Sequence, residues 1–362
     1  VSRLDAAFEL VAVSSVSRQE AVLAALVEGR LRAAAHLEVE RVGDNVVART
    51  TGRHAGRLVV AGHLDTVPGD ASRARIEGER LVGVGACDMK GSLAVMVELA
   101  LLDAARSREV TWIFYAREEV DRRESGLLEI AELRPDLLQG DVAVLCEPTG
   151  GAVEAGCQGT LRATITLAGE RAHTARPYAG RNAIHRLAEV IERVAAYLPR
   201  TVAIDGVVYT EQLQAVQVRG GVANNVVPDE ATLTLNHRVA PDRNGEEAFA
   251  WLRHYVADLL EDGDHLSLDD WAPGAPPALS DERLAALVKL TGRPPFGKLG
   301  WTDVATFHEF GVPATNFGAG DPNLAHHSDE FVTGAELDEF ARVLGAWLAN
   351  GRGEPSSGAG PR

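Results

Sequence analysis

Three short runs of almost purely apolar residues, at 58–61, 110–115 and 142–146, leave this chain few ways to fold. Each is too short for an ordinary helix, and none shows the alternation of a strand wetted on one face. A strand that is apolar on both sides must be covered on both sides, the condition of a parallel sheet held between helices. Helical patterning separates the runs, as at 91–102, and a further strand near 312–317 and a helix at 335–349 follow late in the chain. The expected fold class is therefore α/β with a mostly parallel central sheet. Ser17 and Glu20 stand at capping-box spacing before AVLAALVEGRL, which predicts an early helix from residue 21.

Between the Gly-rich stretch EPTGGAVEAG and the Pro-rich stretch DDWAPGAPPALS the pattern changes. A strand at 160–167 is followed by a helix at 182–198, with Ile184, Leu187, Ile191, Val194 and Leu198 at helical spacing. Strands near 212–218 and 231–239, a helix at 246–260 and a strand at 265–268 complete the order β-α-β-β-α-β of a ferredoxin-like α+β domain. With 362 residues, two domains are the natural division. The boundaries expected are 1–156 and 271–350 for the α/β domain, 157–270 for the inserted one and 351–362 for a disordered Gly/Pro/Ser-rich tail.

Composition narrows the partners. The net charge of −16 argues against nucleic acid and anionic membranes. No apolar run approaches the roughly 20 residues of a membrane helix. Cys87, Cys146 and Cys157 suit neither a disulfide framework nor CxxC metal spacing, and are expected to be small buried thiols. With no signal-peptide pattern at the start of the sequence, a cytoplasmic protein is expected.

The apolar runs end on polar residues of one chemical kind. The first meets His63 and Asp65, the second Glu118 and Glu119, the third Glu147, and the late strand is followed by Asp321, His326 and His327. Asp88 stands just before a helix. In open α/β sheets, ligands bind beyond the carboxyl ends of the strands, so these residues would converge. So many carboxylates would repel one another unless a divalent cation, or two, lay among them. Imidazole with carboxylate suits zinc. His63 and Asp65, two apart in extended chain, lie on one side, so the Asp65 carboxylate is expected to accept the second ring N–H of His63.

The motifs GHLDTVP, GACDMKG, AREEVD, LCEPT and HHSDE resemble those of the co-catalytic di-zinc family that includes aminoacylase, carboxypeptidase G and acetylornithine deacetylase. The resemblance spans nearly the whole chain and implies a zinc-peptidase-like catalytic domain with an inserted dimerisation domain. It implies two Zn²⁺, for which Co²⁺ or Mn²⁺ could substitute. His63 and Glu147 would hold one ion, Glu119 and His326 the other, and Asp88 both. His326 is preferred to His327 because the family histidine stands four residues before a glutamate, here Glu330. Glu118 would be the general base, Asp65 would orient His63, and the peptide after Asp88 would be cis. The implied reaction is hydrolysis of an anionic N-acyl amino acid, with no GxSxG elbow or nucleophilic cysteine. The resemblance in VAGHLDTVP, NVVPD, GWTDV and GDPNLAH implies N-succinyl-LL-2,6-diaminopimelate as substrate, with N-acetylornithine or a related N-acyl amino acid as the alternative. Arg238, Asn225, Thr302 and Gly318 match positions that hold substrate carboxylates, and Arg176 is added on position alone. His173, in AHTARPYAGRNA, matches a histidine that enters the partner's active site, which implies a homodimer.

Overall fold

The computed structural model describes residues 2–52, 56–102 and 108–349. The expected tail, 351–362, lies outside them. Helices α1 (Arg3–Val11) and α2 (Ala21–Leu31) precede the hairpin β1 (Leu37–Val42)–β2 (Asn45–Thr50) and strand β3 (Arg57–His63). The small hairpin β4 (Arg75–Glu77)–β5 (Arg80–Val82) leads to α3 (Gly91–Leu101), β6 (Glu109–Tyr115), α4 (Gly126–Leu133), β7 (Val142–Leu145) and β8 (Glu154–Ala155). Then come β9 (Gly159–Ala168), α5 (Ala183–Ala195), the hairpin β10 (Thr201–Ile204)–β11 (Val207–Thr210), β12 (Gln212–Gly220), β13 (Glu230–Val239), α6 (Gly245–Val256) and β14 (His265–Ala272). The chain closes with α7 (Glu282–Thr291), β15 (Phe296–Gly297), α8 (Val304–Glu309), β16 (Ala314–Asn316), β17 (Phe331–Thr333) and α9 (Gly334–Ala349).

The described residues form two compact units, one within 2–156, 277–296 and 302–349 and the other within 157–276 and 297–301. The first holds the sheet β1-β2-β6-β3-β7-β16-β8-β15. Its centre, β6-β3-β7-β16, is parallel, while β1, β2 and β8 pair antiparallel. The central strands are buried along almost their whole length, which explains why they lack alternation in sequence. Helix α3 packs on β3 and β6, and α1, α2 and α9 pack on α3. Strands β17-β5-β4 form a separate small sheet. The Asp88–Met89 peptide is cis.

The second unit is an antiparallel sheet, β12-β13-β9-β14. Strands β9 and β13 alternate in burial, and their inward residues, Leu161 to Leu167 and Ala231 to Leu235 at every second position, meet Leu187, Val190 and Val194 of α5 and Leu252 and Val256 of α6. The apolar pattern of α5 is split. Ile184 and Ile191 remain 41% and 39% exposed, and Leu198 lies beyond the helix, ahead of Pro199.

The early helix also differs from expectation at its start. Glu20 occupies the N-cap of α2 but makes no side-chain cap, because its Oε1 accepts the N–H groups of Arg18 and Arg117. The Ser17 hydroxyl donates to Asp65 instead. A true capping box, Ser2 with Asp5, opens α1. No helix among the described residues is long and apolar enough to cross a membrane.

Candidate metal centre

Parallel pairing aligns the ends of the central strands. His63 lies in register with Tyr115, and Ala61 with Leu145. The side chains just past those ends, His63, Glu118, Glu119 and Glu147, are therefore delivered to one edge of the sheet, and Asp88 arrives from the loop ahead of α3. His326 comes from the loop between β16 and β17, in left-handed backbone with φ 68°.

Three groups of ligand-type atoms lie within 4.8 Å of one another: His63 with Asp88 and Glu147, Asp88 with Glu119 and His326, and His63 with Glu118 and Glu119. Asp88 belongs to the first two. Its Oδ1 is 3.0 Å from Nε2 of His63 and its Oδ2 is 3.6 Å from Nε2 of His326, so one carboxylate faces both imidazoles. Nε2 of His326 is also 2.9 Å from Oε1 of Glu119. His327 is in no such group among the described residues.

The His63 ring is oriented by Asp65, through a different atom from the one expected. Nδ1 lies 2.9 Å from the Asp65 carbonyl oxygen and 3.6 Å from its carboxylate. The carboxylate is engaged elsewhere. It accepts the N–H groups of Glu118 and Glu119, each at 3.0 Å, and the Ser17 hydroxyl at 2.7 Å. Asp65 thus fixes the ring with its main chain and the Glu118–Glu119 turn with its side chain. Arg117 starts that turn in left-handed backbone, φ 62°.

Burial raises the proton affinity of Glu118 well above the usual carboxylate range, and the charges of Glu147, Glu119 and Asp303 raise it further. Burial and then Asp88 act the same way on Glu119. For His63 burial alone would favour the neutral ring, but the Asp88 hydrogen bond and the charges of Asp88, Glu147 and Glu118 outweigh it and hold the pKa well above the usual value. This donor set fits divalent cations: carboxylates crowded in a buried place, mixed with imidazoles, and two of them, Asp88 and Glu119, each common to two groups.

The other expected residues make contacts of their own. The Thr302 hydroxyl donates to Oδ1 of Asn316, whose amide donates to the carbonyls of Glu154 and Gly156. Gly318 abuts the backbone under Glu147, where a Cβ would come within 2.3 Å of the Cys146 carbonyl oxygen. In the second unit, His173 and Asn225 are on neighbouring exposed segments joined by the Thr174 N–H to Asn225 carbonyl bond, and the Arg176 N–H donates to the His173 carbonyl. The half-buried Arg238 on β13 donates to Thr160 Oγ1 at 2.5 Å.

Sequence reasoning missed Asp303. It is fully buried, accepts the Thr306 hydroxyl at 2.6 Å and adds negative charge near Glu118. GWTDV held the signal, but only its threonine was considered. Cys87, Cys146 and Cys157 are buried free thiols.

A mostly parallel sheet whose strand ends gather imidazoles and shared carboxylates, in a chain that matches a peptidase family, marks a metal-dependent hydrolase. Residues 59–350 match peptidase family M20/M25/M40, and the chain belongs to that family. It is 42% identical, over 94% of each chain, to a succinyl-diaminopimelate desuccinylase of Corynebacterium glutamicum. It is 46% identical, over 93% of its own length and 96% of the relative's, to a Mycobacterium tuberculosis protein, DapE, whose name carries the same activity provisionally. Among solved structures, a Staphylococcus aureus tripeptidase is similar with a TM-score of 0.79 at 18% identity, covering 96% of this chain and 97% of that one. The aminopeptidase PepT of Bacillus cereus gives 0.76 at 19%, covering 96% and 97%. These two show the fold.

Proposed function

We propose that the chain hydrolyses N-succinyl-LL-2,6-diaminopimelate to succinate and LL-2,6-diaminopimelate. The observation that carries this is identity above 40% to desuccinylases across more than nine-tenths of the chain, joined to a clustered donor set that includes Glu118. Two zinc ions are the cations we assign, one to His63, Asp88 and Glu147 and one to Asp88, Glu119 and His326. When bound, they supply Lewis acidity that acidifies water and polarises the amide carbonyl.

The chain's own residues do the rest. The Glu118 carboxylate takes a proton from the water that adds to the carbonyl carbon. It then gives that proton to the amine nitrogen as the C–N bond breaks. Asp65 holds the backbone of Glu118 and Glu119 and so fixes where both carboxylates start. Arg238, Asn225, Arg176, Thr302 and Gly318 are assigned to the substrate's carboxylates. His173 of the partner subunit is assigned to the oxyanion, which requires a homodimer. Support for that assembly comes from β12, which lies at the edge of its sheet with Val216 and Val218 57% and 55% exposed, and from Ile184 and Ile191 on α5, which packs on it. We place the enzyme in the cytoplasm, where buried free thiols are stable.

The test is a comparison of kcat/KM on N-succinyl-LL-2,6-diaminopimelate and N-acetylornithine by the zinc-loaded protein. We expect the succinyl substrate to be preferred. A preference for acetylornithine would overturn the assignment.

A further inference from the structure

We propose that Glu330 is the positioning residue that clasps together the two loops carrying Asp88 and His326. The inference rests on the metal-centre reading above and concerns how the centre is held rather than what it does.

Glu330 is 1% exposed. Its Oε1 accepts the Cys87 N–H at 3.3 Å and its Oε2 accepts the His326 N–H at 3.1 Å. The N–H groups of Gly85 and Asp88 also face this carboxylate. One side chain therefore gathers main-chain donors from segments some 240 positions apart, and those of Cys87, Asp88 and His326 are next to or part of a ligand residue. Strand pairing brings it there: Phe331 lies in register with Val82, and the Gly83 N–H donates to the Glu330 carbonyl. The main chain of Glu330 thus joins the start of the Asp88 loop, while its side chain joins the loop's end. Lys90, also buried, supplies opposite charge, and its Nζ donates to the Val13 carbonyl.

The His326 side of the clasp has a specific task. A non-glycine residue at φ 68° is disfavoured unless neighbours hold it there. The Glu330 bond to the His326 N–H fixes the residue at that turn, which sets its ring 2.9 Å from Glu119. Half of that imidazole is open to solvent, so side-chain packing supplies little of the restraint. A carboxylate suits the position because both its oxygens accept. A glutamine there would accept with one atom and point an NH₂ at a backbone N–H with the other.

The experiment is zinc titration, by chelator competition, of metal-stripped wild-type protein and Glu330→Gln. Wild type should take up two ions. The variant should weaken the ion of His63, Asp88 and Glu147, which has only Asp88 from the clasped loops, by less than the ion of Asp88, Glu119 and His326, which it should bind more weakly by about 10–100-fold, the usual cost of losing a ligand-orienting partner. In the cobalt-loaded protein, the visible absorption of that second ion should change. Loss of global stability alone would weaken both ions alike and leave the cobalt spectrum of the loaded protein unaltered. Two wild-type affinities and an unchanged spectrum in the variant would overturn the inference while leaving the metal centre intact. Failure of wild type to bind zinc would overturn the centre itself. If Glu330→Gln does not fold, amide exchange in metal-stripped wild type decides: the Cys87 and His326 amides should be protected, and exchange as fast as at exposed Ser328 would overturn the clasp.

Discussion

At the scale of single residues, two neighbouring glutamates have different surroundings. Glu119 lies against His326 and shares a group with Asp88, whereas Glu118, among the described residues, meets only His63 and Glu119 in such a group. Glu118→Gln preserves size but cannot accept a proton, so we expect kcat to fall by about 10²–10⁴-fold, the range for a proton-transfer group, with zinc stoichiometry unchanged. Near-normal kcat in the fully metallated variant would refute the role. The gathered residues other than Asp88 were legible because each follows an apolar run, and parallel strands bring such positions together. The division of labour within Asp65 was not. Alternation along extended chain puts the Asp65 side chain beside His63, but it says nothing of the turn at Glu118, which comes from a strand more than 40 residues later and claims that carboxylate. Glu330 was noticed only as a spacing marker, since its contacts depend on strand pairing across the chain.

At the scale of elements, α5 carries two apolar faces with different fates. Leu187 is in the core between the sheet and the helices, while Ile191, one turn on, is 39% exposed. Leu187→Ala should cost about 2–5 kcal/mol of stability, measured by denaturant unfolding, because it opens a cavity in a packed interior. Ile191→Asp should leave the unfolding midpoint of the monomer nearly unchanged and lower the dimer fraction in sedimentation. A fully dimeric Ile191→Asp would remove this face from the proposed interface. Helical periodicity could not divide the faces, since a residue buried by a second copy looks the same in sequence as one buried by its own sheet. The missing cap of α2 is a related case. Ser17 and Glu20 have the right spacing, but tertiary partners, Asp65 for one and the Arg117 N–H for the other, outcompete the local bond.

For the whole molecule, the proposed assembly makes a functional demand. If His173 serves the partner's site, His173→Ala and Glu118→Ala homodimers should each be nearly inactive. A heterodimer of the two variants combines Glu118 from one chain with His173 from the other at one of its sites, so re-associated mixtures should regain activity in proportion to heterodimer content. Purified heterodimers that stay inactive, beside wild type that survives the same treatment, would show that His173 does not act across the interface. The interleaving of the two units also bears on how the chain is made. Strand β16 sits between β7 and β8 in the sheet, although the whole of 157–276 is synthesised before it. On the ribosome the second unit has all but its short 297–301 segment while the first still lacks an inner strand and α9. Until residue 316 emerges, the edge of β7 has no neighbour on that side, and a buried apolar strand edge is the kind that chaperones shield. The metal centre comes later still, because His326 and Glu330 are among the last of its residues to leave the exit tunnel.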